Sequence, residues 1–204
     1  MQETQQRIRQ QICAQRAALS VEEQTSFSAQ ICQNILESGC LESAQHIAFY
    51  LPIRGEADPT ALQAQLAKSH TDKTFYVPIL PEDKQAKLTF AAYEPDSAMI
   101  INRFGILEPD LNQAEILEDA TKLDAVIMPL VAIDRLGNRI GMGGGYYDRT
   151  FAFKHQDNAP QLPQLIAFAY DFQMIETQTP QPWDVPAEAI ATQNSFLRIK
   201  SADC

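Results

Sequence analysis

Five of the eight glycines in this chain fall between Gly137 and Gly145, inside the run Gly137-Asn138-Arg139-Ile140-Gly141-Met142-Gly143-Gly144-Gly145-Tyr146-Tyr147-Asp148-Arg149. Regular structure built on that cluster would lose roughly 0.5–1 kcal/mol per glycine relative to alanine, so the run predicts a loop with a reason to be bare. Successive N–H groups without side chains can wrap an anion. Tyr146 to Phe151 predicts the opening of a helix, whose amino end attracts negative charge, and a phosphate cradle is the first reading. The run is not a Walker A loop, because no Gly-Lys-Ser/Thr closes it. It is not a dinucleotide fingerprint either, because Tyr146 stands three residues after Gly143. A flexible hairpin tip is the alternative. Arg139, the paired tyrosines and Asp148 weigh against it, since a plain turn has no need of two aromatics and opposite charges beside its glycines.

The rest of the chain predicts a scaffold that delivers this loop at a strand end. Leu123 to Pro129 is a continuous apolar run, which predicts a strand buried on both faces directly upstream of the glycines. Earlier, a strand over His46–Leu51, a turn, a helix from Thr60 to Lys68 and a strand over Thr74–Val77 form a βαβ unit, whose parallel strands present their carboxyl ends to ligands. Glu56 falls in that position, while Asp58 caps the helix that begins at Pro59. Further strands are predicted over Lys87–Tyr93, Leu165–Tyr170 and Ala189–Thr192, and a helix over Tyr146–Phe153. Two helices open the chain, over residues 3–18 and Val21–Ser38. The first has an apolar face of Ile8, Ile12 and Leu19, and the second begins on a capping box, Ser20-Val21-Glu22-Glu23. Alternating strands and helices predict an α/β fold, and 204 residues without a linker predict one domain, residues 1–204.

Charge narrows the function classes. A net charge of −10 argues against nucleic acid or an anionic membrane as partner. Between Arg135 and Arg149, however, three arginines meet one aspartate, so the glycine loop is locally positive. Cys13, Cys32, Cys40 and Cys204 contain no Cys-x-x-Cys pair, which predicts free thiols, and no apolar leader or spanning segment is present; a cytoplasmic protein is expected.

The motif Gly-x-Arg-Ile-Gly-x-Gly-x-Gly-Tyr-Tyr-Asp-Arg, preceded by Pro129-Leu130-Val131-Ala132-Ile133-Asp134, resembles the signature of the 5-formyltetrahydrofolate cyclo-ligase family. The resemblance runs from about residue 7 to residue 192. It implies a three-layer α/β/α open sheet, largely parallel, of the type shared with sugar-phosphate isomerases and coenzyme A transferases. It also implies ATP and 5-formyltetrahydrofolate as substrates and magnesium as cofactor; a monomer is expected and, on the net charge, no nucleic-acid or membrane partner. Carried over position by position, it implies ATP contacts by Arg9, Arg139, Ile140, Gly141, Met142, Gly143, Gly144, Gly145, Tyr146 and Tyr147. Arg139 and Tyr147 are implied as catalytic, Leu51, Glu56 and Tyr146 as folate contacts, and Asp148 and Asp184 as magnesium ligands. Arg9 corresponds to the end of a basic Lys-x-x-Leu-Arg segment in that family, with Gln5 here at the lysine. Phe104–Pro109 resembles the family's Gly-Ile-x-Glu-Pro segment; no role is assigned to it, and Glu108 reads as structural. Taken without the resemblance, Pro182-Trp183-Asp184-Val185-Pro186 is a stiff turn with the tryptophan packed on the core.

The reaction so implied is ATP-dependent ring closure of 5-formyltetrahydrofolate to 5,10-methenyltetrahydrofolate. Two alternatives stand beside it: a non-catalytic nucleotide- or folate-binding regulator of the same fold, and a metal-independent sugar-phosphate isomerase.

Overall fold

The computed structural model describes residues 2–69, 72–102, 105, 107–158 and 160–199. Eight strands form one mixed sheet in the order β12-β11-β10-β7-β1-β2-β3-β6. Its centre is parallel: β1 (His46–Ala48) lies between β2 (Thr74–Ile79) and β7 (Ala125–Met128), and β10 (Gln164–Phe168) lies between β7 and β11 (Ala189–Ala191). The edges are antiparallel, with β3 (Thr89–Ala92) and β6 (Ile116–Leu117) on one side and β12 (Phe196–Arg198) on the other. Two hairpins stand outside the sheet: β4 (Met99–Ile101) with β5 (Leu107–Pro109), and β8 (Ala132–Ile133) with β9 (Arg139–Ile140).

The continuous apolar run does what such a run predicts. All of β7 is buried, and its side chains alternate between two cores, Ala125 and Ile127 on one face, Val126 and Met128 on the other. The first core is closed by α2 (Val21–Glu37) and α3 (Thr60–Ser69) through Ile31, Ile35, Leu62 and Leu66. The second is closed more thinly by Phe151, Leu88, Leu123 and Val185, with the short α4 (Tyr146–Thr150) and a 3-10 turn over Ala152–His155 above them. Helix α1 (Gln2–Ala18) packs Ile8 and Ile12 on Val131, Ala132 and Ile140, so it lies on the β8–β9 hairpin rather than on the sheet.

Local signals fix the boundaries. The Ser20 hydroxyl accepts from Glu23 N at 3.1 Å and the Glu23 carboxylate from Ser20 N at 2.8 Å, the reciprocal pair expected of a capping box. Asp58 Oδ1 accepts from Thr60 N at 2.8 Å and opens α3. Several expected spans are shorter than the sequence suggests. The strand expected over His46–Leu51 closes at Ala48, and the helix expected over Tyr146–Phe153 closes at Thr150, where the Thr150 hydroxyl turns to Tyr146 O and receives Leu88 N. Trp183 is 64 % exposed, so the expected tryptophan packed on the core is not observed. Lys154 ties the polar stretch after it to the body, donating to Gln161 O and Pro163 O and pairing with Glu188 at 3.0 Å.

Cys13, Cys32 and Cys40 are free thiols; Cys204 lies outside the described residues, as do Phe104 and Ile106 of the expected Phe104–Pro109 segment. Burial pushes the Cys32 thiol up to about 12, which leaves it inert. Among the described residues no helix is long and apolar enough to cross a membrane.

Candidate active site

β1, β7 and β10 are adjacent and parallel, so the segments leaving their carboxyl ends emerge at one edge of the sheet, where an open sheet of parallel strands presents ligand sites. From β7 the chain enters the β8–β9 hairpin, so Arg139 and Ile140 belong to a strand and the cradle proper is Gly141–Gly145. The hairpin turn is organised by Asp134, 1 % exposed, whose carboxylate accepts from Leu136 N, Asn138 N, Asn138 Nδ2 and Gln178 N at 2.9–3.0 Å. Gly137 is required here by contact: a Cβ would stand 2.3 Å from Ala187 O.

The cradle is open. Met142, Gly143 and Gly144 are exposed, and a Cβ built on Gly141 or Gly143 meets nothing within 4 Å. Among the described residues, the N–H groups of Gly141 to Gly145 donate no hydrogen bond. Gly145 takes a left-handed conformation, φ 63°, to start α4. A helix of five residues has little macrodipole, so the loop amides themselves, rather than the expected helix field, are what this stretch offers an anion.

Charged side chains hold the cradle from both ends. From α1, Arg9 Nε donates to Gly141 O at 2.8 Å, while its Nη2 reaches Gln5 Oε1 at 3.4 Å. From β9, Arg139 Nη2 pairs with Asp148 Oδ1 at 2.6 Å and Nη1 donates to Val185 O. Asp148 Oδ1 also accepts from Val185 N at 3.1 Å, which brings the residue next to Asp184 against the Asp148 carboxylate. Asp184 Oδ2 closes its own turn by accepting from Gln181 N at 2.8 Å. The Asp184 turn is thus held against Asp148 through Val185, and two carboxylates suit magnesium only if phosphate oxygens and water complete the octahedron. Among the described residues no group of three or more His, Cys, Asp or Glu could hold a metal.

The tyrosines divide. Tyr146 lies against Gly144, with the Arg149 guanidinium 5.0 Å from its ring centre. Tyr147 stacks on Phe151 with centroids 6.2 Å apart, and burial, with Glu56's charge adding to it, pushes its phenol well above the usual range. It is a neutral donor, not a base. Arg149 is occupied elsewhere, donating to Lys84 O and Ala86 O. Ile140 is 2 % exposed and belongs to the small core under α1.

Glu56 enters from the segment after β1. Ile53 to Glu56 is a tight turn with Glu56 N donating to Ile53 O at 3.1 Å and with positive φ at both central residues, Arg54 (50°) and Gly55 (72°). That is the pattern of a type I′ turn, and a left-handed arginine costs about 1–2 kcal/mol. The Glu56 carboxylate reaches back to Ile53 N at 3.2 Å and faces Arg16 at 3.5 Å. Burial raises its pKa, against the opposing pull of the Ile53 N–H and of Arg16. Leu51 is half-buried at the edge of the first core, beside Tyr50, whose hydroxyl donates to Ala57 O. The structure therefore brings Arg9, the glycines, Arg139, Asp148 and the Asp184 turn together, and sets Glu56 within electrostatic reach of Tyr147. The sequence left Asp134 and the depth of Arg16 unnoticed; an aspartate four residues before an asparagine, with Gly137 between, is the turn signal that marks the first.

Comparison with known proteins gives the family. The chain matches the model of the 5-formyltetrahydrofolate cyclo-ligase family over residues 1–193. It is 34 % identical over 178 residues to the 5-formyltetrahydrofolate cyclo-ligase of Escherichia coli K12, covering 87 % of this chain and 93 % of that one. It is 37 % identical over 181 residues to the enzyme of the same name from Haemophilus influenzae, covering 89 % and 93 %. The solution structure of Aquifex aeolicus 5,10-methenyltetrahydrofolate synthetase superposes with a TM-score of 0.77 at 25 % identity, over 98 % of this chain and 95 % of that one. With the family model spanning nearly its whole length and the glycine loop set at the strand ends, this chain belongs to the 5-formyltetrahydrofolate cyclo-ligase family.

Proposed function

We propose that the chain closes the ring of 5-formyltetrahydrofolate to 5,10-methenyltetrahydrofolate at the expense of ATP, on a three-layer α/β/α scaffold. The observation that carries the ATP reading is the open run Gly141–Gly145, with unspent amides and arginines at both ends. A formamide carbon is a poor electrophile. In the proposed sequence its oxygen attacks the γ-phosphorus, ADP leaves, and the secondary aryl amine of the folate then adds to the activated carbon; loss of its proton and of phosphate gives the methenyl bridge. No covalent enzyme nucleophile is required, so the protein contributes alignment and charge stabilisation.

In this reading the loop amides and Arg9 bind the phosphates. Arg139 holds Asp148 and the Asp184 turn in register, and Tyr147 donates from the wall. Leu51 and Tyr146 flank the folate, and Glu56 accepts the two adjacent N–H groups of its pterin. Asp148 and Asp184 would hold magnesium, which supplies neutralisation of the phosphate charge when bound.

The direct test is spectroscopic. Purified protein with Mg-ATP and 5-formyltetrahydrofolate is expected to develop the methenyl chromophore. Tight binding of both ligands with no absorbance change would favour the regulator reading, and turnover of a pentose phosphate without ATP the isomerase. For the folate end, Glu56→Gln is expected to raise the folate KM roughly 10- to 100-fold while the Mg-ATP KM stays within about twofold, since a charge-assisted pair becomes a mismatched amide contact. An unchanged folate KM would remove Glu56 from the site.

A further inference from the structure

Arg16, in the last turn of α1, has no part in the chemistry above. Its side chain is 2 % exposed, a depth arginine seldom reaches unless fully paired, yet Nε and Nη1 find no hydrogen-bond acceptor. Unmet buried donors detract from stability, so the fold alone gives no reason for the residue. Its one ion-pair partner among the described residues is Glu56, 3.5 Å away and 12 % exposed. The arginine is thus the deeper of the two, and the carboxylate is the one with access to solvent. The turn that carries Glu56 is also pressed on this end of α1: a Cβ on Gly55 would stand 3.3 Å from Arg16 O.

We propose that Arg16 is a positioning residue for the folate end of the site, holding the Glu56 carboxylate charged and aimed from beneath, so that its outward lone pairs accept the paired N–H groups of the pterin. This rests on Glu56 being the folate contact proposed above. Of the carboxylate's two oxygens, Oε2 is turned to Ile53 N and Oε1 to Arg16, and each keeps a lone pair for substrate.

Electrostatics of the surroundings single out the same residue. The charged and titratable groups facing Glu56 are Arg16 from α1, Arg54 on its own turn, Tyr50 after β1, Tyr147 on α4 and Tyr170 after β10. The three phenols are held protonated by burial, and Arg54 is exposed and screened by water. Arg16 is therefore the unscreened cation that opposes the upward push of burial on Glu56. Without it the carboxyl takes up a proton at higher pH. A protonated Glu56 cannot accept both N–H groups, so folate affinity would fail earlier as pH falls.

The test compares Arg16→Met, of similar length and uncharged, with Arg16→Lys. For the methionine variant the folate KM is expected to begin rising at least about one pH unit higher than in the unaltered protein as the pH is lowered. Maximal turnover and Mg-ATP KM should stay within about twofold, and the lysine variant, which keeps the charge, should restore much of the profile. Arg16→Gln, with a polar head, carries the same expectation should Arg16→Met fail to fold. A folate KM that follows the unaltered protein at every pH would overturn the proposal, as would a pH-independent loss shared by turnover and both KM values. If Glu56→Gln itself leaves the folate KM unchanged, the failure lies with the Glu56 assignment instead.

Discussion

Asp148→Asn is expected to lower turnover of Mg-ATP and 5-formyltetrahydrofolate by roughly 10²- to 10³-fold, the scale seen when one preorganised charge contact is removed from a transition state. The carboxylate does two things at once. It neutralises Arg139, whose side chain is 7 % exposed, and it receives Val185 N, which fixes the turn bearing Asp184. Asparagine keeps an acceptor for Val185 but no negative charge, so Arg139 is left without its counter-ion and one of the two proposed magnesium ligands is gone. Steady-state kinetics at increasing magnesium should therefore show both a lower ceiling and a higher half-saturating concentration. Stability should fall by only about 1–3 kcal/mol, because the pair is partly solvated, and circular dichroism should be unchanged. Full activity at ordinary magnesium would remove Asp148 from the site.

The largest effect on folding is expected at Asp134, not in the cradle. Its carboxylate, 1 % exposed, takes four N–H groups at 2.9–3.0 Å, three of them from the backbone at Leu136, Asn138 and Gln178. Alanine leaves the buried Gln178 N–H without its acceptor and strips the part-buried N–H groups of Leu136 and Asn138 of theirs. A loss of about 3–5 kcal/mol is expected, a large share of a typical 5–15 kcal/mol. Urea unfolding would show it as a lower midpoint at unchanged slope. Asparagine, which retains an acceptor oxygen, should lose less, about 1–2 kcal/mol. Because this turn joins β8 to β9, the strand that leads into Gly141, the alanine variant should also weaken Mg-ATP binding. A midpoint shift worth less than about 1 kcal/mol would mean that water replaces the carboxylate, contrary to its burial.

What the sequence made legible follows from strong local physics. Ser20 to Glu23 encodes its cap in residue types alone, and Leu123 to Pro129 is too apolar to sit anywhere but between two layers. Arg9 was foreseen near the glycine loop only through resemblance, and its bond to Gly141 O spans 132 residues of chain that no local pattern could bridge. The short strands β4, β5, β6 and β12 went unread because two or three half-exposed residues carry no periodicity. Arg16 and Asp134 were hidden for another reason. A charged residue in a sequence reads as surface, and only tertiary contacts reveal that Asp134 is buried beneath a hairpin turn and that Arg16 pairs with Glu56.

The bond between Arg139 and Asp148 closes the intervening chain into a ring, pinned at its start to Val185 and at Gly141 to α1. Such a ring has its shape before any nucleotide arrives. Part of the entropy of ordering it is spent during folding, so under the proposed function a triphosphate would keep more of its contact energy as affinity. The same clasp ties α1 to the loop through Arg9 and Gly141, so under the proposed function loosening α1 would also loosen the grip on phosphate.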